Sequence, residues 1–293
     1  MGVGDRIRFF IEYLGLRVLY AILGRMPHFP GMAIGRGLGR LIGVLARSRT
    51  RLAEKNLARA FPHASLETVR AWTWGVWSEL GAAVWEFTRL GHLRPDDFHK
   101  EVRVVGTEHL RAAHAQGKGV LLFTGHLGNW EYASWATALT GLPIAVIARR
   151  MKNPFVNDWI TAIRRRSGCE VMMHKNAVRE SVRRLAAGGV VGLLFDQRIT
   201  AGGLQVPFFG QPAHTTGMAA LLALRLGCPL LPVRSWREKG QLTVEMESPL
   251  VIEPGPSTPE RVEAVTRQMT EILERWVREH PTQWLWIHDR WKM

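Results

Sequence analysis

The pattern of apolar residues changes near residue 100. Beyond that point, short apolar runs alternate with stretches in which apolar residues recur every three or four positions, as in buried strands and amphipathic helices. The predicted strands are Val102–Val105, Val120–Thr124, Ile144–Ala148, Val190–Phe195, Leu230–Arg234 and Leu242–Glu247. The predicted helices are 108–116, a segment ending near 140, 153–167, 178–187, 216–226 and 257–279, and residues 199–215 are predicted to form a loop. This alternation predicts an α/β fold with a mainly parallel sheet flanked by helices.

The first hundred residues are helical in pattern. A basic segment over residues 48–60 and a Trp- and Ala-rich segment from Ser65 to Leu90 predict two helices, and Pro95 ends the region. We therefore divide the chain into a membrane-associating helical segment (1–46), a helical section (47–99) and an α/β body (100–293).

The N-terminal segment is apolar but carries charges. The run from Ile7 to Leu23 is interrupted by Arg8, Glu12 and Arg17, whereas a membrane-spanning helix needs roughly 20 mostly apolar residues. It also lacks the small-residue cleavage site of a signal peptide. A helix lying in the membrane interface fits this pattern better, and an amphipathic helix of the protein core is the alternative.

Glycines recur every four residues in the same segment, at Gly31, Gly35, Gly39 and Gly43. In a helix they would share one face, and small residues at that spacing let another backbone approach closely, as in membrane helix pairs. A closely packed helix partner is therefore predicted. The glycines do not form a nucleotide-binding fingerprint, since no strand precedes them.

The composition gives the chain a strong positive charge. The 293 residues are 46% hydrophobic, enough for a globular core, and their formal net charge of +14 implies an anionic partner. Anionic lipid and an acidic carrier protein both fit, whereas nucleic acid is disfavoured because no nucleic-acid-binding motif is present. Twelve tryptophans are typical of a membrane interface, although single ones also pack in cores. Two distant cysteines, Cys169 and Cys228, predict a reducing compartment, with a single disulfide bridge as the alternative.

The segment from His126 to Glu131 carries the clearest catalytic signal. Imidazole is the side chain best suited to moving a proton at neutral pH, and a nearby carboxylate can fix its tautomer. The pair has no nucleophile of its own, so it suits the activation of a substrate hydroxyl. Because residues five apart do not share a helix face, His126 is expected in the turn before the helix.

Two further predicted strands end in polar side chains. Arg149 and Arg150 follow Ile144–Ala148, and Asp196 follows Val190–Phe195. Ligands of open α/β sheets bind beyond the carboxyl ends of the strands. A base, a cationic pair and an acid are therefore predicted at one rim of the sheet.

Other interpretations of these residues stay open. His126 could be a structural histidine, or His126 and Glu131 could both bind a metal, with His174 and His214 as further ligands only if the fold brings them close. A zinc site needs three or four ligands, and the H-x4-E spacing is not that of the H-E-x-x-H zinc helix, so no metal is expected. The run from Arg164 to Arg166 either binds phosphate or forms a solvated helix face.

The segment Gly119–Glu131 resembles the core motif of the bacterial lipid A late acyltransferases. These are lauroyl and myristoyl transferases of the lysophospholipid acyltransferase superfamily, with the signature H-x4-D/E. Five other segments resemble family motifs in the same order: Asn56–Pro62, Arg149–Pro154, Asp196-Gln197, Val206–Gly210 with Thr215–Gly217, and Pro281–Lys292. In the second of these, Ala148 and Arg150 replace a tyrosine and a proline of the family motif. The motifs therefore identify the type of reaction more specifically than they identify the acceptor. The likeness covers roughly residues 50–292.

The resemblance implies a membrane-associated O-acyltransferase on the cytoplasmic face of the inner membrane, with a fold like that of glycerol-3-phosphate acyltransferase. It would move a fatty acyl group from acyl carrier protein, or from acyl-CoA, to a hydroxyl of a phosphorylated, Kdo-bearing lipid A precursor, without a cofactor. His126 would act as general base and Glu131 would orient it. The residues expected to bind substrate are Asn129, Arg149, Arg150, Arg166, Asp196 and Gln197.

Other functions fit the same pair of residues. The acceptor could be a phosphatidylinositol mannoside, an ornithine lipid or a lysophospholipid. A lipid-binding homologue without activity is the alternative from a different class, and the intact pair of His126 and Glu131 disfavours it.

Overall fold

The computed structural model describes residues 2–199 and 202–292. Its helices are α1 (Val3–Leu23), α2 (His28–Leu45), α3 (Arg47–Ala60), α4 (Leu66–Leu90), α5 (Phe98–Glu101), α6 (Thr107–His114), α7 (Trp130–Ala138), α8 (Pro154–Arg165), α9 (Ala177–Ala186), α10 (Met218–Leu226) and α11 (Pro259–Glu279). Its strands are β1 (Val102–Val105), β2 (Val120–Thr124), β3 (Ile144–Ala148), β4 (Glu170–Met173), β5 (Val190–Leu194), β6 (Leu204–Phe208), β7 (Gln211–Thr215), β8 (Leu230–Glu238) and β9 (Gln241–Met246).

A seven-stranded sheet confirms the predicted mainly parallel α/β fold. Its strand order is β1-β9-β8-β2-β5-β3-β4, and adjacent strands are parallel except β8 with β9. Strands β2 and β5 lie near the middle and are almost entirely apolar, because helices cover both faces of the sheet. Their carboxyl ends therefore meet in the middle of the edge where a ligand site is expected. The finer likeness to the glycerol-3-phosphate acyltransferase fold stays a prediction.

The prediction of a loop over residues 199–215 is wrong. Strands β6 and β7 form an antiparallel hairpin there, and their turn has positive φ at Phe209 (51°) and Gly210 (70°). Two consecutive residues of positive φ are the mark of the type I′ turn that suits hairpin twist. Pro207 and Pro212 obscure the strand pattern, since proline is rare in sheets. Residues 200 and 201 of the predicted loop lie outside the described residues.

The sheet also has more strand than its sequence pattern predicts. The short edge strand β4 is not among the predicted strands, and β8 continues to Glu238, four residues beyond its predicted end. The longer β8 matters for the site, because its second half carries Ser235 and Arg237.

Capping side chains fix where two helices begin. The backbone N–H of Thr68 donates to Oγ of Ser65 at 3.1 Å, which confirms the predicted start of α4. At the start of α11, the hydroxyl of Thr258 accepts from the N–H of Arg261 at 3.4 Å, so the helix begins at Pro259, two residues after its predicted start.

The glycine face of α2 packs directly against α4. A Cβ atom at Gly39 would lie 2.0 Å from the carbonyl oxygen of Trp77, and one at Gly81 would lie 2.0 Å from that of Gly35. Backbone touches backbone at this crossing, as the four-residue spacing predicts. All four glycines of the repeat are buried: Gly31, Gly35, Gly39 and Gly43.

The hydrophobic core extends across residue 100. Leu57 of α3 and Val76 of α4 are completely buried in the same cluster as Phe123 of β2 and Leu273 of α11. The helical section and the α/β body therefore share a core, and a domain boundary near residue 100 stays a prediction.

Helix α1 exposes an apolar stripe. Ile7, Ile11, Leu14, Val18 and Ile22 follow at three- and four-residue intervals, and each is more than half exposed. An exposed stripe of this extent is typical of a surface that meets a partner or a membrane. In the described part of the chain, no helix has both the length and the apolar character needed to cross a bilayer.

Candidate active site

The carboxyl ends of β2 and β5 bring His126 and Asp196 into direct contact. His126 lies in the turn before α7, as expected, and its Nδ1 is 2.7 Å from Oδ1 of Asp196. Oδ2 of Asp196 accepts from the backbone N–H of His126 at 2.6 Å and from the indole N–H of Trp284 at 2.8 Å. Both oxygens of this buried carboxylate are therefore engaged. Asp196 is therefore the orienting partner of His126. It is buried and is not among the residues that line the cavity beside His126, and its predicted role in substrate binding stays a prediction.

Asp196 stays ionised at neutral pH in spite of its burial. Burial alone would raise the pKa of this carboxyl, but the neighbouring imidazole and the hydrogen bonds from His126 and Trp284 lower the pKa of Asp196 to about 2. An ionised Asp196 accepts from Nδ1–H of His126, so that in the neutral form of the imidazole Nε2 is the ring nitrogen without a proton. The site thus presents Nε2 as a proton acceptor.

Two side chains lie next to the imidazole. The side-chain nitrogen of Gln197 is 3.3 Å from Nε2 of His126, and the ring of Trp130 lies edge-on to the imidazole, with 4.8 Å between centroids. Gln197 is exposed and lines the adjoining cavity. It stands where a hydroxyl would have to approach Nε2, and its predicted role in substrate binding stays a prediction.

Glu131 pairs with Arg164 instead of His126. Nε of Arg164 donates to Oε2 at 2.9 Å and a terminal guanidinium nitrogen donates to Oε1 at 2.5 Å. Burial lowers the pKa of Arg164, but the bonds to Glu131 outweigh it and raise that pKa above its usual value. The expectation that Glu131 orients His126 is therefore wrong, because one guanidinium takes both of its oxygens. Glu131 and Arg164 still line the same cavity as His126.

Asn129 is buried and hydrogen-bonded within the protein. Its side chain is 2% exposed, and its amide nitrogen donates to Oε2 of Glu86 at 2.9 Å and to the carbonyl of Ala83 at 3.2 Å. Both amide hydrogens are used within the protein, so these contacts indicate a positioning role, and the predicted role in substrate binding stays a prediction. Asn129 fastens the turn that carries His126 to helix α4.

A chain of ion pairs connects Glu86, which accepts the hydrogen bond from Asn129, to helix α2. Glu86 accepts from Nε of Arg237 at 3.0 Å and from a terminal nitrogen at 2.5 Å. Arg237 also pairs with Glu79, which accepts from Arg36 at 3.1 Å. Each of these charges has an opposite neighbour, which offsets the cost of its burial.

The C-terminal segment holds the other side of the catalytic turn. The N–H of Leu285 donates to the carbonyl of His126 at 3.1 Å, and the N–H of Gly128 donates to the carbonyl of Gln283 at 2.9 Å. Gly128 has a φ of 57°, and a Cβ there would lie 2.2 Å from the carbonyl oxygen of Ser235. Glycine is therefore required at this position.

The three arginines expected to bind substrate occupy different places. Arg149 lines the cavity next to His126. Arg150 is exposed outside the cavity lining, and Arg166 is exposed and donates to the carbonyl of Gly91. Arg150 and Arg166 could contact only a ligand that extends beyond the cavity. Their roles in substrate binding therefore stay predictions.

Sequence reasoning overlooked Arg198 and Trp284. Arg198 lines the cavity, its buried Nε has no hydrogen-bond partner among the described residues, and its backbone N–H donates to Nε2 of His288 at 3.0 Å. Its place directly after Asp196-Gln197 at a strand end is the signal that would have found it. Nothing local marks Trp284, which reaches Asp196 only through the fold.

A cavity of about 480 Å³ opens beside His126 at the carboxyl ends of the strands and extends along β2, β3 and β5. Polar residues line its mouth: His126, Glu131, Arg149, Arg164, Gln197 and Arg198. Its deeper wall is nearly all apolar and comes from β2, β3, β5 and α7: Leu122, Ile144, Val146, Gly192, Ala133 and Thr137. A proton acceptor at the mouth of an apolar cavity suits chemistry at the polar end of a long apolar molecule.

A protein-family model described as bacterial lipid A biosynthesis acyltransferase matches residues 5–293. The chain belongs to this family. The resemblance carried by the sequence motifs is thereby confirmed, and the activity of the chain is that of a transferase.

Relatives act on two kinds of glycolipid, according to their names. The lipid A biosynthesis lauroyltransferase of Escherichia coli (strain K12) is 26% identical over 97% of this chain and 92% of its own length. The lipid A biosynthesis palmitoleoyltransferase of the same strain is 27% identical with the same coverage. A phosphatidylinositol mannoside acyltransferase of Mycobacterium tuberculosis (strain ATCC 25618 / H37Rv) is 29% identical over 64% of this chain and 60% of its own length.

Two asparagines in the motifs of this acyltransferase join distant elements. Asn56 of α3 donates to the carbonyls of Trp286 and His288, both at 2.9 Å, and so anchors the C-terminal segment. Asn153 caps α8 through its oxygen, while its nitrogen donates to the carbonyl of Phe9 in α1 at 2.8 Å. These motif residues maintain the scaffold around the site.

Arg290, in the C-terminal motif, is completely buried. It donates to the carbonyl of His214 at 2.6 Å and to the hydroxyl of Thr215, and burial lowers the pKa of Arg290 to about 10. It therefore ties the C-terminal segment to the β6–β7 hairpin.

Proposed function

We propose that this acyltransferase moves a fatty acyl group from an acyl carrier protein thioester to a hydroxyl of a phosphorylated, Kdo-bearing lipid A precursor, with His126 as general base. The observation that carries the proposal is the buried, ionised Asp196 on Nδ1 of His126, which directs Nε2 to the mouth of an apolar cavity.

The proposed reaction is a direct transfer. Nε2 of His126 takes the proton of the acceptor hydroxyl while the oxygen attacks the thioester carbonyl carbon. The tetrahedral intermediate collapses, the C–S bond breaks, and the leaving thiolate takes the proton from His126. Asp196 stabilises the imidazolium that forms in between. A general base of this kind contributes about 10²–10⁴-fold in rate.

Cationic side chains at the cavity mouth support stabilisation of the oxyanion. Arg149 and Arg198 line the mouth, and Glu131 holds Arg164 there through two hydrogen bonds. A donor aimed at the developing oxyanion is typically worth about 10²–10³-fold. In this proposal Glu131 serves catalysis by holding Arg164 in place.

The donor assignment rests on shape and charge. The apolar depth of the cavity suits an acyl chain, and the net charge of +14 suits an acidic carrier protein. Acyl-CoA has the same thioester and is the second donor to test.

The acceptor assignment rests on coverage and charge. The lipid A lauroyltransferase aligns with 97% of this chain, whereas the phosphatidylinositol mannoside acyltransferase aligns with 64%. Arg149 and Arg198 at the mouth suit a phosphorylated glycolipid. The departures at Ala148 and Arg150 fall beside this part of the site.

The proposed location is the cytoplasmic face of the inner membrane. The exposed apolar stripe of α1 and the basic N-terminal segment support an interfacial position, because apolar burial and attraction to anionic lipid act together. Helix α1 also reaches α8 through Asn153, close to Arg149 in sequence.

A transfer assay with purified protein tests the proposal. Labelled acyl carrier protein and acyl-CoA are offered with three acceptors in separate reactions: the lipid A precursor, a phosphatidylinositol mannoside and a lysophospholipid. We expect transfer to the lipid A precursor, with acyl carrier protein as the better donor. Transfer only to another acceptor would overturn the acceptor assignment, and no transfer to any acceptor would overturn the enzymatic proposal.

Matched histidine variants test the base. His126→Ala should lose about 10²–10⁴-fold in turnover and keep its fold. The control is His63→Ala, at an exposed histidine in the turn between α3 and α4, which should keep full activity. Near-normal turnover by His126→Ala would exclude His126 as the base.

A further inference from the structure

The deep wall of the cavity includes a row of residues that crosses three neighbouring strands. Leu122 of β2 pairs in register with Gly192 of β5, and Gly192 pairs with Val146 of β3. All three residues line the cavity. In this row Gly192 leaves a gap between two larger apolar side chains.

The gap above Gly192 is narrow and is bordered by Val146 and Ile144. A Cβ placed there would have two described heavy atoms within 4 Å, Cγ1 of Val146 at 3.3 Å and Cδ1 of Ile144 at 3.9 Å. The φ of Gly192 is not in the left-handed region, so the backbone does not require glycine. Glycine also weakens a strand, so it brings no benefit to the sheet itself. The consequence of glycine at this position is the space that the missing side chain leaves.

The next row closes the cavity. Val190 lies two positions before Gly192, on the same face of β5, and pairs in register with Ile144. Val190 is completely buried and is not among the lining residues, whereas Ile144 lines the cavity. The floor therefore lies between the row of Gly192 and the row of Val190.

We propose that Gly192 sets the length of the acyl chain that this enzyme accepts, because the missing side chain opens the last row of the cavity to the end of the chain. The inference rests on the proposed function, since it takes the occupant of the cavity to be the acyl group of the donor. One row corresponds to two residues of strand, or about 6–7 Å of depth, which is room for several methylene groups.

Substitutions at Gly192 should raise the floor in steps. Gly192→Ala needs Val146 to give by a few tenths of an ångström, and Gly192→Val fills the gap. Both should prefer shorter acyl chains than the wild type. Each methylene that no longer fits should lower kcat/KM by about fourfold, the loss expected when one methylene is left in water.

A substitution at the floor should act in the opposite direction. Ile144→Val removes a methylene beneath the gap and should shift the preference towards longer chains. Leu231 supplies the control, because it pairs with Leu122 one strand further along the same row but does not line the cavity. Leu231→Val should leave the chain-length preference unchanged.

The experiment is a competition among saturated acyl carrier protein donors of increasing chain length, with the transferred acyl groups identified by mass spectrometry. We expect the Gly192 variants to prefer shorter acyl chains than the wild type and Ile144→Val to prefer longer ones. Leu231→Val should keep the wild-type preference. An unchanged ratio in Gly192→Val would overturn the inference. An equal loss with every chain length would also overturn it, since a folding defect does not discriminate between donors.

A binding measurement separates this inference from the proposed function. Calorimetric titration with free fatty acids of the same lengths needs no acceptor or transfer. If the wild type transfers acyl groups and the Gly192 variants keep its length preference, the inference alone fails. If no donor supports transfer but fatty-acid binding shifts as expected, the proposed function fails and the role of Gly192 in setting cavity depth stands.

Discussion

Nδ1 of His126 lies 2.7 Å from Oδ1 of Asp196, although the two residues are 70 positions apart in the chain. Asp196→Asn should therefore lower turnover by about 10³–10⁴-fold, because a neutral amide can hold the imidazole in the wrong tautomer. The KM values should change little. Steady-state kinetics measure both quantities. Trp284→Phe, which removes one hydrogen bond to Asp196 and leaves its charge, should cost far less.

The same carboxylate makes stability depend on pH. The pKa of Asp196 is about 2 in the folded protein against about 3.9 in an unfolded chain, so its contribution, about 2–3 kcal/mol, is complete above the unfolded value. It is lost as the pH falls through the folded value. The difference in free energy of unfolding between wild type and Asp196→Asn should therefore shrink progressively as the pH falls from about 5 to about 2. A gap that stays constant to about pH 3 would contradict this pKa.

The strand ends were predictable from sequence, and the partnership of His126 was not. The apolar runs place His126, Arg149 and Asp196 at one edge of the sheet, which the structure confirms. Proximity in sequence favoured Glu131 as the carboxylate partner. The parallel pairing of β2 with β5 brings Asp196 to Nδ1 instead, and that pairing depends on strand order, which no local pattern encodes.

The contacts of residues that hold the scaffold together were also not predictable from the sequence. Asn129 looks like a site residue because it lies three positions from His126, yet it is buried against Glu86 of α4. The hydrogen bond from Trp284 to Asp196 joins segments 88 positions apart. Contacts of this kind arise from packing between distant elements, so sequence spacing alone does not predict them.

Glu131 and Arg164 should behave as one unit. Glu131→Gln and Arg164→Lys each break the bidentate pair and should each lower turnover, and the double variant should be little worse than either. Each single change should also lower the free energy of unfolding by about 1–3 kcal/mol, less than for a fully buried pair because both side chains keep some exposure. A double-mutant cycle in kcat/KM measures the coupling. Additive losses would contradict a joint role.

Asn129 should affect turnover because it holds in position the turn that carries His126. Asn129→Ser loses the reach to Glu86 and should lower kcat with little change in KM, because the turn that carries His126 is no longer fastened to α4. Asn129→Asp places a second carboxylate against Glu86 and should be more destabilising than Asn129→Ser, by about 1–3 kcal/mol. Kinetics and urea unfolding of both variants provide the test. A selective rise in KM for the acceptor would instead indicate direct contact with substrate.

Gly39 and Gly37 of α2 offer a matched test of the helix crossing. A Cβ at Gly39 would lie 2.0 Å from the carbonyl oxygen of Trp77, whereas one at Gly37 meets nothing within 4 Å. Gly39→Ala should therefore destabilise the protein by about 1–3 kcal/mol, since α2 and α4 must move apart. Gly37→Ala should be neutral or stabilising by up to about 1 kcal/mol, because alanine favours the helix. Urea unfolding of the two variants measures the difference, and equal effects would show that α2 does not pack on α4 through its glycine face.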